Sequence, residues 1–149
     1  MPGFTGPVCG YIRPMSEEPA VRLLNLPPDL ATLAEGRGFV AQVAQEAGFA
    51  DDRVFDIALA CSEAIANAIE HGPIKAPVGV CTLLFGDRLE IRVEGSGEFQ
   101  APNRLKGPSH RGLGLPLMAK LADHLTLSSG PQGGTLVSLC FYRPDLEGC

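Results

Sequence analysis

The sequence predicts an α+β fold, a two-layer sandwich in which a mostly antiparallel sheet is covered on one face by about three helices. Short apolar runs separated by turn residues come in neighbouring pairs, which is typical of antiparallel hairpins. Three other stretches have the apolar period of a helix, and they are grouped rather than alternating singly with strands. The 149 residues fit one domain. We place it at residues 20–143, between a loose arm (1–19) and a tail (144–149).

The first half of the chain predicts one strand and two helices. They are a strand at Ala20–Leu26, a helix from Leu30 to about Ala47 and a helix that ends at His71. Asp29 is placed to begin the first helix, and Gly48 fits its C-terminal cap. Asp51 and Asp52 are N-cap candidates for the second helix.

The second half predicts two hairpins around a long connection and a short helix. The predicted strands are Val78–Phe85, Leu89–Val93, Leu125–Ser128 and Thr135–Tyr142. The connection from Glu94 to Arg111 is rich in Gly and Pro, and a long loop of this kind inside a compact domain is usually functional or disordered. Pro116 is tolerated only in the first turn of a helix, so the third helix begins near Gly114.

Composition excludes several classes of function. A net charge of −5, few aromatic residues and no Trp argue against direct nucleic-acid binding. The chain has no apolar run long enough for a membrane span and no secretory signal at its start, so we expect a cytoplasmic protein without membrane contact. The five cysteines form no C-x-x-C pair, which argues against a zinc site or a disulfide framework.

The second helix has a polar face that is open to two interpretations. Glu63 and Asn67 are four residues apart and therefore neighbours on the helix surface. The first interpretation is a solvated face opposite the apolar stripe. The second is a functional pair, because Asn is a mediocre helix former in the middle of a run of alanines.

Two glycine triplets flank the long connection, at Gly95-Ser96-Gly97 and Gly112-Leu113-Gly114. Exposed backbone N–H groups followed by a helix N-terminus can form an anion site. Alternatively, the glycines only shape two turns. The spacing does not match a dinucleotide fingerprint or a Walker loop.

Together, the Glu-x-x-x-Asn helix, the glycine-flanked loop and the Gly-Leu-Gly-Leu helix start resemble the GHKL ATP-binding superfamily. Within it, the segment from Ser62 to Gly72 (SEAIANAIEHG) is similar to the N-box of the anti-sigma factor serine kinases. The segments Arg111–Leu115 (RGLGL) and Gly133–Val137 (GGTLV) are similar to the same family. The resemblance covers about Leu26 to Phe141 and implies a GHKL ATPase-like fold that uses ATP and Mg²⁺.

The resemblance also implies roles for individual residues. Glu63 would be the general base for the acceptor serine, and Asn67 would ligate Mg²⁺. Arg111 would offset developing phosphoryl charge. The other implied cofactor-binding positions are Gly112 and Gly114 at the phosphates, Thr135 at the adenine, His71 beside the site or in a structural role, and Glu94, Gly95, Gly97, Leu113 and Leu115.

One position departs from the family pattern. The family has Asp-x-Gly-x-Gly after the strand, where the Asp accepts the adenine amino group. Aligning the glycines puts Val93 at the Asp position, and aligning the strand pattern puts Gly95 there. The Glu94 side chain should point to the other face of the strand, unless a local bulge turns it. The base end of the pocket then lacks its usual acceptor.

The function implied is an ATP-dependent protein serine kinase that is also an anti-sigma factor. Its partners would be a sigma factor or equivalent target and an anti-anti-sigma protein that it phosphorylates, and it would form a homodimer. Two alternatives remain: a partner-binding regulator of the same fold with weak or no nucleotide use, and an α+β domain whose motifs match by chance.

Overall fold

A computed structural model describes residues 18–71, 76–95, 114–129 and 134–144. The elements are, in chain order, β1 (Ala20–Leu26), one 3₁₀ turn (Leu30–Thr32), α1 (Leu33–Glu46), α2 (Asp51–His71), β2 (Val78–Leu84), β3 (Arg88–Gly95), α3 (Gly114–Leu121), β4 (His124–Ser129) and β5 (Thr135–Tyr142). The strands form one antiparallel sheet in the order β1-β2-β3-β5-β4. This confirms the predicted α+β sandwich.

The register of the sheet separates a core face from an open face. Val80 of β2, Val93 of β3 and Val137 of β5 lie side by side across three strands, and each is 1% exposed. Their strand neighbours at every second position are also buried, as alternation requires. The opposite face carries exposed Leu23, at 71%, and the charged residues of β3. The helices therefore cover one face only.

The first predicted helix begins differently from the prediction. A 3₁₀ turn precedes α1, and the Asp29 carboxylate accepts a hydrogen bond from the Ala31 N–H at 2.9 Å. Asp29 thus caps this turn rather than the α-helix itself. At the other end, Gly48 has a φ of 94° and donates its N–H to the Gln45 carbonyl at 3.0 Å. The predicted C-terminal cap is confirmed.

Asp51 and Asp52 were predicted as N-cap candidates, but helix α2 already begins at Asp51. Asp51 and Asp52 lie in the first turn, and the Val54 N–H donates to the Ala50 carbonyl at 2.8 Å. Both carboxylates still lie where the partial positive charge of the helix N-terminus favours them. Among the described residues, no helix combines the length and apolar character that crossing a bilayer requires.

Arg143 joins the end of β5 to two other parts of the fold. Its guanidinium donates to the Ala47 carbonyl at 3.0 Å, beyond the last turn of α1, and to the Phe85 carbonyl at 3.0 Å in the β2–β3 turn. The same turn closes with a Phe85 N–H to Arg88 carbonyl bond of 2.8 Å, which ends β2 at Leu84. The Ala47 and Phe85 carbonyls both lie just beyond the ends of regular elements, where the regular bonding pattern stops.

Two glycine substitutions in and beside α1 should have opposite effects on stability. Gly38→Ala meets open space, so it should stabilise the protein by about 0.5–1 kcal/mol through helix propensity. Gly48→Ala must adopt a positive φ and should destabilise it by about 1 kcal/mol or more. Urea unfolding of both variants measures the two changes. A stabilised Gly48→Ala would contradict this account of the cap.

Candidate functional site

Asn67 is buried in the structure, although it was assigned to the polar face of α2. It is only 8% exposed, and Ala60, Ala64 and Ala66 on the same side of the helical wheel are fully buried. Glu63, one turn earlier, is partly buried. The interpretation of a solvated face is therefore wrong for Asn67. A buried amide must be satisfied by specific partners, and within the described residues no buried side-chain nitrogen or oxygen lacks one.

The carboxyl end of β3 touches α2 beside Asn67. A Cβ atom added at Gly95 would lie 2.8 Å from the Ala68 Cβ and 3.3 Å from its Cα. Both distances are shorter than ordinary van der Waals contact, so the backbones can approach this closely only because position 95 has no side chain. Gly95 is thus fixed against Ala68, the residue after Asn67.

Thr135 joins the same cluster from the neighbouring strand. It pairs with Gly95 in the register of β3 and β5, and it is only 8% exposed on the core face. The structure therefore brings Ala68, Gly95 and Thr135 together from three elements that are distant in sequence, and Asn67 is the residue before Ala68. Helix α3 begins at Gly114 and packs chiefly on α2, with partly buried Leu115 against the core.

The family's adenine-binding Asp is replaced in this sequence by Val93 or Gly95, depending on the alignment, and both positions face the helices. Val93 and Gly95 are buried on the core face, whereas Glu94 is partly buried on the opposite face. The ladder is regular here, because Glu94 pairs with Leu136 on one side and Gly79 on the other. The bulge that could have turned Glu94 toward the helices is not formed. At Val93 the core face is apolar, because its strand partners are Val80 and Val137.

The remaining predicted residues are dispersed or lie outside the described residues. His71 is exposed at the last position of α2, two residues beyond Ile69 of the core. The structure describes only the backbone of Gly114. Four predicted positions lie outside the described residues: Gly97, Arg111, Gly112 and Leu113.

The cysteines offer no nucleophile among the described residues. Complete burial of Cys61 strongly raises the pKa of its thiol. Burial is also the largest cause that raises the pKa of Cys140, to about 11, and the pKa of Cys81. All three thiols therefore stay protonated near neutral pH, and the thiol is a poor nucleophile. The described part of the chain also holds no group of three His, Cys, Asp or Glu residues suited to a metal ion.

Sequence reasoning missed a groove between α1 and α2. It has a volume of about 660 Å³ and includes Arg37, Phe55, Leu59 and Ser62. The Arg37 guanidinium donates to the buried Ser62 hydroxyl at 3.3 Å, and Phe55 is 66% exposed. The sequence did contain a signal for this groove. Phe55 and Leu59 are large apolar residues four positions apart on α2, which places them next to each other on the helix surface. The groove does not include Asn67, Gly95 or Thr135.

Comparisons with known proteins agree on one type of domain. A family model described as a histidine kinase-like ATPase domain matches residues 26–141. A serine-protein kinase RsbW from Bacillus cereus is 34% identical over 140 residues, which cover 83% of this chain and 87% of that protein. A serine-protein kinase RsbW from Listeria monocytogenes is 32% identical over 120 residues, 70% of this chain and 76% of that protein.

A solved structure gives the same fold. The crystal structure of the RsbU and RsbW domains of a Mycobacterium tuberculosis protein matches with a TM-score of 0.65 and 23% sequence identity. The match covers 84% of this chain and 33% of that chain, so this protein spans about a third of its length. At this identity, the likeness shows the fold.

The contact between β3 and α2 predicts a contrast between two glycines on neighbouring strands. Gly95→Ala must push α2 away from the sheet, and such overpacking should cost about 1–3 kcal/mol of unfolding free energy. Gly79→Ala, in β2, meets only Asn25 Oδ1 at 3.6 Å and should be neutral or slightly stabilising. Denaturant unfolding compares them. Equal stability of the two variants would contradict the close approach.

Proposed function

This chain belongs to the histidine kinase-like ATPase domain family, and we propose that it is an ATP-dependent protein serine kinase that also acts as an anti-sigma factor. The family resemblance predicted from the motifs is thereby confirmed. The relatives' name, serine-protein kinase, supports the proposed activity. In the proposed partner-switching circuit, the protein holds a sigma factor and phosphorylates the antagonist that releases it.

The observation that carries the proposal is the placement of Asn67 and Glu63. Adjacent turns of α2 bring their Cβ atoms to about 5–6 Å of each other. Asn67 is buried one residue before Ala68, which contacts Gly95, and the resemblance assigns metal binding to this amide. A helix that served only the core would have no need of this buried amide next to a carboxylate.

The residues present fit the phosphate and magnesium end of the ligand. The Asn67 side-chain oxygen is a hard ligand of the kind that Mg²⁺ prefers. Gly95 lets the end of β3 approach Ala68 of α2 closely, because it has no side chain. The N-terminus of α3 at Gly114 offers N–H groups suited to anions. Gly97, Arg111, Gly112 and Leu113 remain predicted contacts outside the described residues.

The residues fit the base end less well. Val93, at 1% exposure between Val80 and Val137, offers no hydrogen-bond acceptor to an adenine amino group. Thr135 is the one buried polar side chain that we propose for contact with the base. An unpaired amino group costs about 1–3 kcal/mol, which corresponds to about one to two decades in affinity. We therefore infer that phosphate and metal contacts supply most of the binding energy.

The proposed mechanism assigns the proton transfer to Glu63. Bound Mg·ATP would supply the phosphoryl group, with ADP as the leaving group and Mg²⁺ offsetting part of the charge. The Glu63 carboxylate accepts the proton of the acceptor serine hydroxyl as the serine oxygen attacks. Asn67 orients the metal, and Arg111 is proposed to stabilise the charge that develops on the transferred group. His71, exposed at the helix end, is proposed to act beside the site rather than in this step.

The proposed partners are proteins. We propose a sigma factor or an equivalent target, an anti-anti-sigma antagonist as phosphate acceptor, and a second copy of this chain as a homodimer. The net charge of −5 supports action through proteins rather than direct nucleic-acid contact. We place the protein in the cytoplasm, where its nucleotide and targets are available.

One observation favours a second function. Because Val93 removes the acceptor for the base, the same fold could act as a partner-binding regulator with weak or no nucleotide use. The two functions differ in two measurable respects. The kinase function requires nucleotide binding and the carboxylate of Glu63, whereas the partner-binding function requires neither.

Calorimetric titration with ATP and ADP, with and without Mg²⁺, is the first test. The kinase function predicts magnesium-dependent binding in the micromolar range, because Asn67 contributes through the metal. The matched variant Asn67→Ala should lose the magnesium dependence. If millimolar nucleotide gives no binding heat, the kinase function is wrong and the partner-binding regulator replaces it.

Replacing the proposed base tests the chemical step. Glu63→Gln keeps size and burial but cannot accept the proton, so phosphate transfer to a small antagonist domain should fall by about 10²–10⁴-fold. Partner binding should be unchanged. The control is Glu70→Gln, a more exposed carboxylate on the same helix, which should retain transfer. Phosphorylation that persists in Glu63→Gln would falsify the assignment of the base.

A further inference from the structure

Arg53, in the first turn of α2, reaches the carboxyl end of α3. Its guanidinium Nη1 donates to the Leu121 carbonyl at 2.7 Å, and its Nη2 donates to Asp123 Oδ2 at 3.1 Å. The guanidinium carbon lies 5.2 Å from the centre of the Phe141 ring. Three elements, α2, α3 and β5, therefore meet at one side chain.

These contacts fix the position of the last turn of α3. The final carbonyls of a helix lack partners within it and carry its partial negative charge, so a cation that donates to the Leu121 carbonyl stabilises that end. Asp123 is itself held by β5, because it accepts from the Tyr142 N–H at 2.8 Å and donates its N–H to the Cys140 carbonyl at 2.9 Å.

Helix α3 is short, and among the described residues few of its side chains are fully buried. It has eight residues, of which Met118 is fully buried, and Ala122 just beyond it is 8% exposed. Because α3 packs chiefly on α2 and its carboxyl end is bound by Arg53, the start of α2 holds the end of α3. Gly114 lies about 10 Å along the axis from Leu121, so a tilt at one end displaces the other.

We propose that Arg53 is a positioning residue that holds the carboxyl end of α3 and thereby limits the displacement of its amino end. This inference rests on the proposed function, in which that amino end binds the nucleotide phosphates. Arg53 lies at the far end of α3 and does not touch the ligand. It acts by limiting the tilt of a short helix whose free end must be placed to within about 1 Å.

The chain offers a matched control. Arg143 makes the same kind of contact at another helix, because it donates to the Ala47 carbonyl beyond α1. It also donates to carbonyls of the β2–β3 turn, away from α3. Both arginines are partly buried. Loss of either should lower the melting temperature, but only loss of Arg53 should release α3.

The test compares Mg·ATP affinity by calorimetry in full-length Arg53→Gln, Arg53→Lys and Arg143→Gln proteins. Arg53→Gln should weaken binding on the order of tenfold. Arg53→Lys keeps the charge but cannot bridge Leu121 and Asp123, so its loss should be intermediate, and it tests the proposal if the Gln variant does not fold. Arg143→Gln should keep wild-type affinity despite a lower melting temperature. Equal affinity losses in Arg53→Gln and Arg143→Gln, or none in the Arg53 variants, would overturn the proposal.

A second measurement separates this proposal from the proposed function. Amide hydrogen exchange without nucleotide should be faster over residues 114–121 in Arg53→Gln and unchanged over α1. If wild-type protein binds no nucleotide, the kinase function fails, while the exchange result still decides whether Arg53 holds α3. Unchanged exchange in α3 would show that the contacts of Arg53 with Leu121 and Asp123 do not position the helix.

Discussion

The contact between α2 and β3 at Ala68 and Gly95 is the constraint on which the site depends. Without a side chain at Gly95, the strand end comes within van der Waals distance of the helix backbone, and that approach fixes Ala68 relative to Gly95 and its strand partner Thr135. The run of small residues along α2 has the same effect over its length, because Ala60, Ala64 and Ala66 are fully buried. A helix of larger residues would stand farther from its neighbours and leave its polar residues in solvent.

The sequence predicted the sheet and helices well, since their signals are local. Apolar alternation located β5 at Thr135–Tyr142, and the strand β1 ends where Pro27 follows. The ends of elements were less predictable, because a 3₁₀ turn and a true α-helix share the same first residues. Asp29 caps the 3₁₀ turn, and the sequence around it does not distinguish a 3₁₀ turn from the first turn of an α-helix.

The site was predictable only in part, because its members meet through packing. Glu63 and Asn67 were found by their spacing, but the helical wheel placed Asn67 in solvent. Its burial comes from the packing of α2 in the folded protein, which the helical wheel of one segment does not contain. The alternation rule placed Glu94 on the open face, and the regular ladder agrees. The groove beside Arg37 was missed, since Ser62 and Phe55 gain meaning only when α1 lies against α2.

Val93 has a consequence for what the proposed kinase would respond to in a cell. The proposed pocket would bind its ligand mainly through the phosphates and the metal. Because Val93 gives the base an apolar wall without a hydrogen-bond acceptor, selectivity among nucleoside triphosphates would be low. The occupancy of the pocket would then follow the ratio of triphosphates to diphosphates as a whole. A regulator built in this way would report the energetic state of the cell rather than the supply of adenine nucleotide in particular.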